Sequence, residues 1–187
     1  MRRSLLHRSV QNRNSGGFTL LEVLIAISVL AVAVGLTGST IVSISNYAQV
    51  AKENSLARAA LSTQLQVLRA YPFAQLFRDF NASGADDSSM GAPGPGFDVL
   101  GLNPIPGDPD GRVGRIELPA ADPSSTVLRE DLVFVELGMP ADLNADGIVD
   151  AEDHSDDYRM LPIRLVLEWE GRMGRSQISL ETVIGSW

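Results

Sequence analysis

The chain has 187 residues, a net charge of −8 from 15 Lys+Arg and 23 Asp+Glu, and no cysteine. That length suits one domain plus an extension, and the acidic balance weighs against nucleic acid as a partner. Without cysteine there is no disulfide or thiolate metal site, so stability must come from packing or hard ions, and with only His7 and His154 a Ser-His-acid or Cys-His catalytic site is hard to build.

The first segment, Met1 to Gly17, carries Arg2, Arg3, Arg8 and Arg13 and no acid. An apolar run of about 19 residues, Phe18 to Leu36, follows and is long enough as a helix to cross a hydrocarbon core about 30 Å thick. Four positive charges ahead of the span hold that end in the cytoplasm and send the rest outward. No small-residue cleavage site follows Leu36, whereas Gly16 and Gly17 ahead of the run leave a backbone free of side-chain hindrance for a protease. Within the run stands one charge, Glu22, and no other follows until Lys52. An acid at the bilayer centre costs roughly 2.5–3.5 kcal/mol on insertion scales, so Glu22 calls for a partner.

Gly17-Phe18-Thr19-Leu20-Leu21-Glu22-Val23 resembles the processing signature of type IV prepilins and type II secretion pseudopilins. The resemblance implies that a prepilin peptidase cuts between Gly17 and Phe18, that Phe18 becomes an N-methylated N-terminus, and that Glu22 assists assembly with other pilins. A new α-amine and a carboxylate in one apolar medium can neutralise each other, within a chain or between subunits, and so set filament register. Loss of the four leader arginines would take the net charge from −8 to −12.

Beyond the span, Ala57, Ala60, Leu61, Gln64, Leu65 and Leu68 recur at helical spacing, and Tyr71-Pro72 marks a stop. One helix over 18–70, roughly 80 Å long at 1.5 Å per residue, is expected, with 18–36 in the membrane and the remainder packed on a head domain, 71–187. Leu68-Arg69-Ala70-Tyr71-Pro72-Phe73 is similar to the helix exit of minor pilins of the pilus-modification type and of minor pseudopilin I. Residues 81–111 are rich in Gly, Pro, Asp and Ser and read as a long irregular connection. Asn81-Ala82-Ser83 matches a glycosylation sequon without meaning in such a chain, and Asp108-Pro109-Asp110-Gly111 reads as a plain turn.

From Arg112 the apolar period changes to two. Val113 to Leu118, Leu132 to Leu137, Ile163 to Glu170 and Ser176 to Ile184 read as strands, the last two joined by a turn at Gly171-Arg172-Met173-Gly174. Ile163, Leu165, Leu167 and Trp169 share one face, and Ile178, Leu180, Thr182 and Ile184 point the same way, toward the helix. Trp169, Phe134 and Tyr158 are expected in the core or on a sheet face, with Trp187 a frayed end or a plug. The pattern itself supports an α+β chain, helix plus antiparallel sheet. The resemblance implies the pilin shape, a long N-terminal helix on a C-terminal antiparallel sheet.

Ala141 to Asp157, ADLNADGIVDAEDHSDD, carries seven acids and no Lys or Arg. Asp142, Asn144, Asp146, the Ile148 carbonyl, Asp150 and, in twelfth place, Asp153 follow the oxygen-ligand order of an EF-hand loop, with Gly147 at its bend. Val149 in eighth place is expected to pack inward. The loop 142–153 is similar to dockerin calcium loops, which also end in aspartate, but has one copy and no partner-binding helix after it. A structural Ca2+ is expected here, relieving the mutual repulsion of the acids.

Taken together, these readings describe a minor pilin or pseudopilin, not an enzyme, anchored once in the bacterial inner membrane with its head outside and then built into a periplasmic or surface filament. The alternative is an anchored, calcium-dependent adhesive or binding module.

Overall fold

A computed structural model describes residue 17 and residues 19–186; residues 1–16, Phe18 and Trp187 lie outside the described residues, and with them the expected N-terminus at Phe18 and its expected methylation. The chain divides into two compact units, Met1–Ser45 and Asn46–Trp187. The first element, α1 (Leu20–Ala70), starts where the Thr19 hydroxyl accepts the Glu22 amide at 3.2 Å, which satisfies one of the open N–H groups of the first turn. The polar side chains that follow in the apolar stretch turn back on their own helix. Ser28, Thr37 and Thr40 donate to the carbonyls of Leu24, Ala33 and Leu36 at 2.8, 2.8 and 3.0 Å, so their hydroxyls need no water. The helix is long and apolar enough to cross a membrane.

In the second unit, the expected stripe of α1 faces the core: Ala57, Leu61 and Leu68 are buried, with Leu56, Ala60 and Leu65 half-buried beside them. The helix ends at Ala70, one residue before the Tyr71-Pro72 pair, as the clash between a proline ring and the preceding residue requires. A 3-10 turn (Phe73–Gln75) and a short helix, α2 (Leu76–Phe80), follow and bury Leu76, Phe77 and Phe80. The Tyr158 hydroxyl clamps this corner, donating to the Phe73 carbonyl at 2.5 Å and accepting the Phe77 amide at 3.3 Å.

The sheet has four antiparallel strands in the order β1 (Gly96–Phe97), β2 (Gly114–Glu117), β3 (Met160–Gly171) and β4 (Gly174–Gly185). The two long strands pair along their whole length around Arg172 and Met173, with Gly171 opposite Gly174, and Gly174 takes the positive φ of 104° that this turn needs. Ile163, Leu165, Leu167 and Trp169 are buried on the core face; Ile178 and Leu180 of β4 are half-buried against the same core and Ile184 is buried. The opposite face carries a cross-strand ladder in which Arg115 meets Glu117 at 2.7 Å and Glu168 at 3.3 Å, while Arg164 meets Glu117 and Glu181, both at 3.1 Å. Glu53 of α1 accepts the Arg172 amide at 3.3 Å and ties the helix to the hairpin turn.

A long apolar helix followed by a four-stranded antiparallel sheet is a pilin-like α+β arrangement. Two local expectations need correction. Leu132 to Leu137 is not a strand but an irregular segment ending in a 3-10 turn (Val135–Leu137), because Gly138 at φ 70° turns the chain and the amides of Leu137, Gly138 and Met139 bond locally to Phe134 and Val135. The connection 81–111 is irregular but pinned, and it contributes β1.

Asp79 does much of the pinning. Its fully buried carboxylate accepts the Tyr71 hydroxyl at 2.6 Å and the Ser88 hydroxyl and amide at 2.6 and 2.7 Å. Burial pushes this carboxyl up, but the Ser88 and Tyr71 bonds pull it further down, below its ordinary value. A depressed carboxylate stabilises the fold above the unfolded pKa of about 3.9 and ceases to do so as pH falls through the folded value. Asp79→Ala is therefore expected to cost about 1.5–3 kcal/mol at pH 7, the scale of hydrogen bonds to a charged group. The difference from wild type should shrink below about pH 4. Urea unfolding at pH 7 and pH 3 measures both, and an equal cost at the two pH values would contradict the assignment. Asn81 is buried, donating to Asp86 at 2.9 Å and accepting the Ser83 amide at 2.7 Å, which leaves the sequon amide engaged in the fold.

Candidate functional site

Two places carry chemistry, one in each unit. In the first, Glu22 is exposed on α1 and shares a face with Ala26 and Leu30, one and two turns on. Leu20, Leu21, Val23, Leu24, Ile25 and Ile27 around it are exposed as well, a surface suited to lipid or to other helices and not to water. A carboxylate in such a surface is costly in lipid unless it is protonated or paired with a group in the same medium.

Residues 12–38 match the family model of the prokaryotic N-terminal methylation motif. The matched stretch includes Gly17, Phe18 and Glu22, and it supports a type IV pilin- or pseudopilin-like subunit, a structural and generally non-enzymatic class. The motif implies processing by prepilin peptidase and assembly with other pilins in a membrane. No curated protein and no solved structure matches the chain.

In the second unit, the acidic loop is organised by its own backbone. Asp142 accepts the amides of Ala145, Asp146 and Gly147 at 2.6, 3.2 and 2.8 Å, Asn144 accepts that of Asp146 at 3.0 Å, and Asp146 accepts that of Ile148 at 2.8 Å. Gly147 takes φ 89° at the bend and Ala145 takes φ 64°. Asp153, in the twelfth place, accepts the amides of Leu128 and Ser155 at 3.1 and 3.0 Å, so this carboxylate fastens the loop's end to the segment beside it. That segment continues alongside the loop: His154 N donates to Leu128 O at 2.8 Å and Asp131 N to Asp150 O at 3.0 Å. Val149 is 47% exposed and does not pack inward; the buried Leu143, in second place, anchors the loop instead, its carbonyl accepting the amides of Arg159 and Met160.

Among the described residues, the group of three possible ligands whose atoms lie within 4.8 Å of one another is Glu130, Asp150 and His154. Asp150 thus belongs to a cluster with two residues outside the predicted ligand set. The backbone bond to Glu152 and the bond from His154 hold the Asp150 carboxyl below its ordinary value. Burial pushes the His154 imidazole down, but Asp150, Asp157 and the Glu130 charge pull it above its ordinary value, since three acids surround it. Glu130 is the residue that sequence reasoning missed. A faint signal exists: in Leu128-Arg129-Glu130-Asp131-Leu132, Glu130 falls on the inward side of an alternating pattern, while Arg129 pairs with Asp131 at 2.5 Å outside.

A cleft of about 620 Å³ is lined by Phe80, Ile116, Leu118 and Phe134 among others. Of its charged lining, Arg115, Glu117 and Arg164 are engaged in the ion-pair ladder, and Asp110, Asp122 and Glu136 also border it.

Proposed function

We propose that the chain is a minor pilin or pseudopilin, a subunit of a type IV pilus or type II secretion pseudopilus. The observation that carries this reading is the coincidence of the methylation motif with a lone carboxylate, Glu22, in the lipid-compatible first stretch of α1, before Lys52. In this reading the chain enters the bacterial inner membrane with the arginine-rich end in the cytoplasm, in keeping with the charge asymmetry around the span. Prepilin peptidase cuts between Gly17 and Phe18, Phe18 is N-methylated, and Glu22 neutralises the new amine as subunits stack into a periplasmic or surface filament. Helix-to-helix contacts along the apolar segment hold neighbouring pilins together.

Mass spectrometry of the cellular protein tests this. The expected N-terminus is Phe18 with one added methyl group. A chain still starting at Met1, or trimmed elsewhere, overturns the reading.

For the head, the ligand order of Asp142, Asn144, Asp146, Ile148, Asp150 and Asp153 supports a structural Ca2+. An ion bound by the native state alone adds RT ln(1 + [L]/Kd) to stability, a role disulfides fill in chains that have cysteine.

A further inference from the structure

Glu130 is wholly buried, and its two oxygens have different fates. Oε1 accepts the amides of Leu143 and Asn144 at 2.5 and 3.1 Å, which fixes the carboxylate against the start of the acidic loop. Oε2 is buried with no hydrogen bond and lies 3.9 Å from His154 Nε2. A buried carboxylate oxygen without a hydrogen bond forfeits its hydration, and the group facing Glu130 Oε2 is the His154 imidazole. His154, 5% exposed, directs the same Nε2 to Asp150 Oδ1 at 3.1 Å.

We propose that Glu130 Oε2, Asp150 Oδ1 and His154 Nε2 form a binding site for a divalent transition cation of the zinc class. Zinc held at about 2.0–2.1 Å in tetrahedral geometry sets its ligand atoms about 3.4 Å apart. The His154 to Asp150 and His154 to Glu130 separations, 3.1 and 3.9 Å, bracket that spacing. One imidazole with two carboxylates suits zinc, whereas calcium takes six to eight oxygens and has little use for an imidazole nitrogen.

The surroundings are those of a supported site. His154 Nδ1 lies 3.1 Å from Asp157 Oδ1; a proton on Nδ1 leaves the Nε2 lone pair for the ion, and the carboxylate orients the ring. The bonds to Leu143 and Asn144 do the same for Glu130. The Asp150 side chain is 35% exposed, which gives the ion a way in and leaves a fourth position for water. Once bound, the ion would link the 128–131 segment to residues 150–154, holding the acidic loop to the head by a bond that needs no cysteine. The proposal does not rest on the pilin reading, and it competes with the calcium loop for Asp150.

The test is calorimetric titration and thermal melting of the full chain in detergent micelles, with zinc alone and with calcium alone. Zinc is expected to bind at one ion per chain and to raise the melting temperature. Glu130→Gln, which keeps an acceptor for the Leu143 and Asn144 amides, and His154→Gln should each weaken zinc at least about tenfold. Asp142→Asn should leave zinc binding unchanged. Co2+ added to the wild-type chain should give the visible absorption of a low-coordinate site with an imidazole ligand, a readout independent of whether the variants fold. Absence of zinc binding, zinc binding indifferent to both Glu130→Gln and His154→Gln, or a colourless Co2+ titration overturns the proposal. Calcium binding that is lost in Asp142→Asn and kept in His154→Gln, with no zinc bound, would leave the calcium loop standing and remove the zinc site.

Discussion

Glu22→Ala is expected to leave the chain inserted in the membrane and to lower its recovery in sheared filaments by at least an order of magnitude. Removing a charge from an apolar span eases insertion, by up to roughly 2.5–3.5 kcal/mol at the bilayer centre, so loss of assembly cannot be traced to failed anchoring. Under the proposed processing, what is lost is the partner of the Phe18 amine: a positive charge that must then sit in an apolar bundle unneutralised, the costly half of a broken buried pair. Glu22→Gln sharpens the point. It keeps the size and hydrogen-bonding capacity of the side chain but not its charge, and it should fail nearly as badly as Ala. Quantitative immunoblots of membrane and filament fractions measure both effects, and equal filament amounts for all three proteins would remove the pairing role. The same result would favour an anchored binding module, which needs the span but not the acid.

The second large effect is expected at Trp169. This side chain is 1% exposed on the core face of β3, in one cluster with Leu161, Ile163, Leu165 and Leu167, and Trp169→Ala opens a cavity worth about 3–5 kcal/mol. A head of this size should lose on the order of 10 °C in melting temperature. The indole Nε1 is buried without a hydrogen bond, so Trp169→Phe should cost only volume and fall well short of the Ala variant. Circular dichroism melts of the three proteins decide the matter. A Trp169→Ala melt within a degree of wild type would show that the core does not close on this ring.

The strongest sequence signals were those in which many residues repeat one instruction. The stripe Ala57, Leu61 and Leu68 forecast the buried side of α1, and Pro72 its end. The alternation over Ile163 to Glu170 and Ser176 to Ile184 forecast β3 and β4, which run a few residues further at their ends. Short elements carried too few residues for a period to show. Thus β1, two residues among Gly and Pro, was invisible, and α2 lay hidden behind the Pro72 stop. Leu132 to Leu137 misled because its alternation was real, with Leu132 and Phe134 half-buried, while the left-handed Gly138 and local amide bonds denied it a ladder.

By itself, the sequence determined the membrane-length apolar helix and its methylation motif, the helix-then-sheet order, and the spacing of carboxylates in the acidic loop, because each is a relation between near neighbours along the chain. Only the tertiary structure decided which acids meet. Glu130 lies 20 residues before Asp150 and 24 before His154, distances over which no backbone periodicity connects side chains, and it is the pairing of Leu128 with His154 and of Asp131 with Asp150 that sets them face to face. Folding likewise gave Asp153 to the backbone of Leu128 and Ser155 and left Glu130 Oε2 open, a distribution of partners fixed by packing and not by order in the chain.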